Sequence, residues 1–311
     1  AAGMKVIHIP DTIEINDDIR RLTSVVCHSL SDVPDIIDTW NEGKVADVEG
    51  YYENAKINRV YVDRVHVKKA FAEYTAAYNA DDPKIKLKID HTYRVAALCE
   101  RIAKAAGMCA YDVELAWLSG MLHDVGRFEQ IKRYNTFSDA DSVDHAKFGA
   151  DLLFKDGLIS TFLNGMVKCT GYKPGALEDR YSSDGVFLYD RLNKSDMEML
   201  ELAIRCHNMY RIPQGLNRRE QAFCNVLRDA DKVDIFKVNI DTPLEEIYNT
   251  TTEELMKSDI TDEVLEAFDE EHCILKAIRR TPADTVIGHV SLAYELVYDE
   301  SVRITVEQGY L

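Results

Sequence analysis

Long apolar runs are missing from this chain of 311 residues. Nowhere do about 18 consecutive hydrophobic residues occur, the length a helix needs to span a bilayer, and the first residues lack a charged-then-apolar leader. Neither a membrane span nor a secretory signal is therefore expected. Ala1-Ala2-Gly3 ahead of Met4 reads as a cloning remnant. Cysteine pairing is missing too: the seven Cys, at 27, 99, 109, 169, 206, 224 and 273, are odd in number and show no CxxC spacing. Free thiols in a reducing cytoplasm are the simplest reading. Positive charge is scarce, with 37 Lys and Arg against 54 Asp and Glu, a net charge of -17 and a pI near 5.0. No global field would draw a polyphosphate, which argues against duplex nucleic acid or an anionic membrane as the main partner. An anionic ligand must instead be held by local Lys, Arg or metal ions. There is no glycine-rich phosphate loop, no GxSxG nucleophile elbow and no internal repeat.

What is present is ordinary globular material, 46% hydrophobic and 29% charged, enough to bury a full core in one large domain or two modest ones. One stretch organises it. Glu114 to Arg127 reads ELAWLSGMLHDVGR, in which Leu115, Leu118, Met121 and Leu122 recur at helical spacing and deliver the adjacent His123 and Asp124 to a core edge. His91, His145, His207 and Asp231 each fall on or at the end of a segment with its own helical pattern. Four of the nine His thus join two Asp in the order H, HD, H, H, D. Imidazole and carboxylate together suit borderline divalent metals such as Fe, Mn, Co, Ni or Zn, and a carboxylate is able to bridge two ions.

Along the chain, Lys5 to Ile15 alternates weakly, as a short strand or extended arm. Ile19, Leu22, Val25, Val26 and Leu30 have helical spacing, and Ser31 and Pro34 open a second short helix that ends before Gly43. Residues 47–58 are a polar connector. Val65 to Tyr78 reads as an amphipathic helix stopped by Asp81-Asp82-Pro83, and Asp90 as the cap of a helix that begins at His91 and runs to Gly107. Residues 127–141 look largely irregular. Val143 to Phe154 is expected to be a helix whose small residues Ala146, Gly149 and Ala150 pack closely on a neighbour. Residues 168–196 read as a long loop, followed by helices through Met199–Cys206 and Phe223–Ala230, and by two more over residues 262–279 and 282–297.

HTYRVA at 91–96, MLHDVGRFEQ at 121–130, SVDHAKFGADLL at 142–153 and RDADKVDIF at 228–236 resemble the HD-domain superfamily of metal-dependent phosphohydrolases. The resemblance implies an all-α fold, an HD-domain-like helical bundle over residues 84–238. Residues 4–83 are then an N-terminal helical extension, and residues 239–311 C-terminal helices packed on the core. It further implies His91, His123, Asp124 and Asp231 around one divalent ion, with His145 and His207 completing a second site bridged by Asp124. Fe, Mn, Co, Ni, Zn or Mg are the candidate ions, one or two of them. The activity implied is hydrolysis of a nucleotide or other small phosphate ester by a metal-activated hydroxide, with Asp124 catalytic. Arg94, Arg127, Arg133 and Lys147 lie close enough in sequence to the ligands to be candidate phosphate contacts. The branch that hydrolyses cyclic dinucleotides carries a His-His pair and a GYP motif. Here Asn208 follows His207, the next loop reads YRIPQGL, and Gly171-Tyr-Lys-Pro precedes His207. A different class of function, a non-catalytic metal or nucleotide sensor working through a protein partner, fits the same ligands.

Overall fold

The computed structural model describes residues 7–8, 25–26, 62–163, 192, 194–243, 245 and 250–309. Helices dominate these residues, as the sequence pattern requires. The expected helix at 31–43, the connector at 47–58 and nearly all of the loop at 168–196 lie outside them. At the N-terminus, β1 (Ile7–His8) pairs in parallel with β2 (Val25–Val26), Ile7 opposite Val25. This corrects the expected helix at Val25 and Val26. Two adjacent β-branched residues lose χ1 freedom in a helix and gain a ladder in a strand.

Helix α1 (Arg64–Thr75) is capped by Asp63, and its Phe71 packs edge-on against Phe128, with ring centroids 5.8 Å apart. Helix α2 (Pro83–Ala105) starts eight residues before His91, not at it. Asp82 accepts from Lys84 N at 2.8 Å and Pro83 takes the first helical position, where a missing N–H costs nothing. The Asp-Pro pair read as a stop is therefore a start. His91 consequently sits mid-helix, and a turn of α2 before it faces the same interior. The helix ends at Gly107, whose φ of +73° is the left-handed cap conformation that glycine takes without strain.

Helix α3 (Ala110–Leu122) buries every residue from Leu115 to Leu122, which makes it the central helix of the bundle. It crosses α2 where Gly120 meets Ala96. No loop separates it from α4 (Val125–Tyr134): His123 is still helical, Asp124 breaks away with φ -106° and ψ 15°, and the chain turns. Helix α4 corrects the irregular reading of 127–141, at least as far as Tyr134. Val125, Phe128 and Ile131 are buried at helical spacing, and left-handed Asn135 ends the run.

Helix α5 (His145–Ala150), capped by Asp144, continues into a π-type turn at Asp151–Lys155. The extra residue in that turn rotates the buried face, so Leu153 rather than Leu152 reaches the core. Small residues meet here as expected, since the Gly126 and Gly149 backbones touch with no room for a side chain. After α6 (Ile159–Phe162) come α7 (Lys194–Cys206) and the 24-residue α8 (Arg218–Asp241), which opens on a reciprocal cap between Asn217 and Glu220. The C-terminal part is more broken than its periodicity suggests. It comprises α9 (Thr252–Met256), α10 (Asp262–Asp269), a 3-10 turn at Lys276–Ile278, α11 (Pro282–Val290), a second 3-10 turn at Ser291–Glu295 and α12 (Asp299–Gln308). Glu271, with φ +57°, cuts off the helix expected to run to 279. This part is pinned to α8 by the buried Asp229 carboxylate, which accepts from Val297 N at 2.9 Å, Tyr298 N at 3.0 Å and Ser301 Oγ at 2.7 Å.

Candidate metal centre

Six side chains from five places in the chain converge in the bundle. His91 comes from the middle of α2, His123 and Asp124 from the α3–α4 junction, His145 from the first turn of α5, His207 from just past α7, and Asp231 from α8. The junction explains the dipeptide. In a continuous helix, successive side chains diverge by about 100°; the break at Asp124 brings both inward. All four imidazoles and Asp124 are buried.

The two oxygens of Asp124 divide the set. Oδ2 stands 3.5 Å from His91 Nε2 and 3.4 Å from His123 Nε2, and Asp231 Oδ1 completes that side at 3.1 Å from His91 Nε2 and 3.8 Å from His123 Nε2. Oδ1 faces the other way, 3.6 Å from His145 Nε2 and 3.7 Å from His207 Nε2. One carboxylate thus serves two donor groups, as a bridging ligand must.

The outward nitrogens establish what the inward ones are. His123 Nδ1 donates to Gly120 O at 2.8 Å and His207 Nδ1 to Ile204 O at 2.7 Å, and a carbonyl accepts only. His145 Nδ1 lies 2.7 Å from Asp139 Oδ2, and His91 Nδ1 2.6 Å from Asp234 Oδ2. With the Nδ1 protons committed outward, neutral rings turn Nε2 lone pairs inward, the arrangement that supporting carboxylates and carbonyls impose on metal-bound histidines. Burial pushes His145 down to about 4 and His207 down to about 3, so both are neutral at pH 7. Their Nε2 atoms nevertheless face each other at 3.1 Å, beside Asp124 Oδ1, a buried oxygen with no hydrogen-bond partner.

Three electron-rich atoms therefore meet with no proton among them. A bound cation would resolve that arrangement. Donors about 2.0–2.2 Å from one ion stand roughly 3 to 3.5 Å apart, close to the separations found on both sides of Asp124. The residues fit a divalent metal. Burial would raise the Asp124 carboxyl, but Lys88 and the neighbouring imidazoles outweigh it and hold it well below the carboxylate range. Burial is likewise outweighed at Asp231 by His91 and its neighbours, so that this carboxylate too is ionised. At His91 burial and Lys88 act downward, while Asp231 and Asp234 prevail and raise its pKa.

The cations read from sequence separate into two kinds. Arg127 is inside: its guanidinium bonds Gln130, Phe137 O and Asp139, and its Nε lies 3.8 Å from Asp124 Oδ1. Arg94, expected at a substrate phosphate, is instead clamped on Asp234 by two bonds of 2.6 and 2.9 Å, and so braces the carboxylate that orients His91. Arg133 and Lys147 are exposed and paired at the surface with Glu129 and Asp144, because their helices turn those positions outward.

The sequence pattern did not single out Asp234, Lys88, Asp139 or Lys276. Asp234 was readable, since it follows Asp231 at i+3 on one helix face. Lys88 precedes His91 by the same step, but a helix start placed at His91 hid it. Asp139, six residues before His145 in a polar loop, has no periodic signal, and Asn208 holds it at 3.2 Å while also bonding Asp144. Lys276, exposed on the C-terminal 3-10 turn, lies in the field of Asp139, Arg127 and Asp231.

A family model described as the HD domain matches residues 89–239, from within α2 to within α8, and so takes in every one of these ligands. Comparison with curated proteins and with solved structures found no match.

Proposed function

Since residues 89–239 constitute an HD domain, we propose that the chain is a metal-dependent phosphohydrolase acting on a nucleotide or another small phosphate ester at a dinuclear site. The observation that carries this reading is the facing pair His145 Nε2 and His207 Nε2 at 3.1 Å beside the unpartnered Asp124 Oδ1, a second donor set fused to the first through one carboxylate. His91, His123 and Asp124 would hold one ion, with Asp231 beside the two imidazoles as its fourth ligand, and Asp124, His145 and His207 the other. Bound divalent ions supply acidified water as nucleophile and neutralise charge on phosphoryl oxygens.

The chain's own residues do the rest. Asp124 keeps the two donor sets in register. Asp139 fixes the ring orientation of His145 and Asp234 that of His91, so that little reorganisation is needed on binding. Arg127, anchored on three acceptors, offers fixed positive charge beside the bridge, where transferring phosphoryl oxygens would lie. Local cations of this kind are how a protein of net charge -17 admits an anionic substrate. Among the described residues no helix is long and apolar enough to cross a membrane.

Turnover of a panel of phosphomonoesters, phosphodiesters and nucleoside di- and triphosphates, with Mn, Fe, Co, Ni and Mg added separately, tests the proposal. Hydrolysis of one substrate class that disappears in Asp124→Ala is the expected result. No turnover with any metal, together with retained nucleotide binding, would instead assign the chain to the sensing class.

A further inference from the structure

One helical turn before His91, α2 carries Lys88, a cation outside the sequence motifs. Its side chain is only 17% exposed and its Nζ stands 2.7 Å from Asp124 Oδ2. Arg127 approaches the opposite oxygen of the same carboxylate, with Nε 3.8 Å from Oδ1. Phe137 is common to both: its ring centre lies 5.5 Å from Lys88 Nζ and 5.6 Å from the Arg127 guanidinium carbon. Each oxygen of the bridging carboxylate is thus faced by one protein cation, and one aromatic ring backs the pair.

The two cations are held differently. Arg127 is fixed by Gln130, Phe137 O and Asp139, whereas the ammonium of Lys88 has Asp124 as its one hydrogen-bonding partner among the described residues. That partner is contested. Oδ2 also faces His91 and His123, so a divalent ion held there would share the oxygen with an ammonium, and like charges at contact range in a buried site repel strongly. Lysine is suited to yield, being a point charge on a four-carbon stem, where arginine is a rigid fork. An anion arriving at the bridge gives the displaced ammonium a new partner.

We propose that Lys88 is a substrate-binding residue that transfers from Asp124 Oδ2 to a non-bridging oxygen of the substrate's phosphate group, and so forms with Arg127 a two-sided phosphate clamp. The inference rests on the phosphohydrolase reading, and it makes the ammonium a stand-in counter-charge whenever the site lacks its ions.

The test uses the full chain, Mn²⁺ as metal probe and inorganic phosphate as anion probe, each titrated by calorimetry into wild type, Lys88→Met and Lys88→Arg. Lys88→Met should bind Mn²⁺ at least as tightly as wild type, because a competing cation is gone. Its Mn²⁺-loaded form should bind phosphate roughly 10- to 100-fold more weakly, the range of one charge-assisted hydrogen bond, and Lys88→Arg should recover most of that loss. Unchanged phosphate affinity in Lys88→Met overturns the proposal. Loss of Mn²⁺ binding in a folded Lys88→Met overturns it as well, since Lys88 would then be scaffolding for the ligands. Thermal melting checks folding, and Lys88→Gln provides the same comparison should the Met variant not fold. A wild-type protein that binds no Mn²⁺ would sink the metal reading itself; one that binds Mn²⁺ and phosphate, with Lys88→Met equal to it, would sink only the clamp.

Discussion

Replacing Gly126 by Ala should strip one half of the centre and leave the other. A Cβ at Gly126 would stand 2.5 Å from His145 O, 2.7 Å from Gly149 N and 2.8 Å from Gly149 Cα, all of them backbone atoms that no rotamer change relieves. Carbon contacts settle near 3.5 Å, so α4 and α5 must part by roughly 0.5 to 1 Å. Overpacking of that order costs about 1–3 kcal/mol, which for a chain of this size lowers Tm by roughly 2–10 °C. The functional effect is sharper than the loss of stability. Gly126 is two residues past Asp124 and its clash is with His145 itself, while ligand geometry tolerates only about 0.5 Å of error. The Asp124–His145–His207 set should therefore lose its ion, with the His91–His123–Asp231 side still loaded. Gly120→Ala is the matched control. Its Cβ would meet Ala96 Cα at 2.6 Å and force α2 from α3, the helices that carry His91 and His123. Calorimetric melting and metal analysis after loading read both effects. A Gly126→Ala protein with unchanged Tm and full metal content would refute the reasoning, as would identical metal loss in the two variants.

Asp124→Ala should lose both ions and all turnover, while His145→Ala or His207→Ala should lose one ion; equal loss of all metal in every variant, by elemental analysis, would point to a single site. Asp139→Asn should weaken one metal site by about 10- to 100-fold with little change in fold, because an amide no longer secures the His145 proton outward; an unaltered binding isotherm would discount the Asp139 contact. In metal-free protein, burial lowers His145, His207 and His289 to about 4, 3 and 4. Against an unfolded value near 6.5, that stability is complete above about pH 6.5 and is lost as pH falls towards the folded values. His91, raised in the fold, works in the opposite sense, being stabilising below about pH 6.5 and losing that contribution as pH rises through its folded value. Three groups outweigh one, so Tm in a chelating buffer should fall between pH 7 and pH 4.5, and a flat or rising profile would contradict the assignment.

The helices that bury one clear face were visible in the sequence. The apolar run of α3 brought His123 and Asp124 to a core edge, and the spacing in α8 put Asp231 on a helix, its choice over Asp229 resting on the family resemblance. What misled was local and had local causes. Asp82-Pro83 serves a helix start as well as a stop, and choosing the stop displaced the beginning of α2 and concealed Lys88. In α4 the buried positions Phe128 and Ile131 are diluted by charged neighbours that face solvent, so their period went unread. Val25 and Val26 satisfy a helical spacing and a strand equally. The residues that orient the ligands were the least legible. Asp139 acts across six residues of loop, and Arg94 meets Asp234 from another helix, so neither pairing leaves a spacing in the chain.

The Asp229 anchor gives the C-terminal segment a hold on the chemistry. Asp229 is two residues from Asp231, and its flanking Arg228 and Lys232 both reach Glu295, at 3.1 and 3.0 Å. The turn of ligand-bearing helix that holds Asp231, from Arg228 to Lys232, is thereby tied to residues 295–301, beyond the end of the family match. Were those residues cut away, a carboxylate that is 0% exposed would lose three donors at once. Neutralising it or opening the bundle to solvent are the two escapes, and either one disturbs the helix that aims Asp231. A nick or deletion in the C-terminal helices would thus be felt as altered metal affinity, although no ligand had been touched.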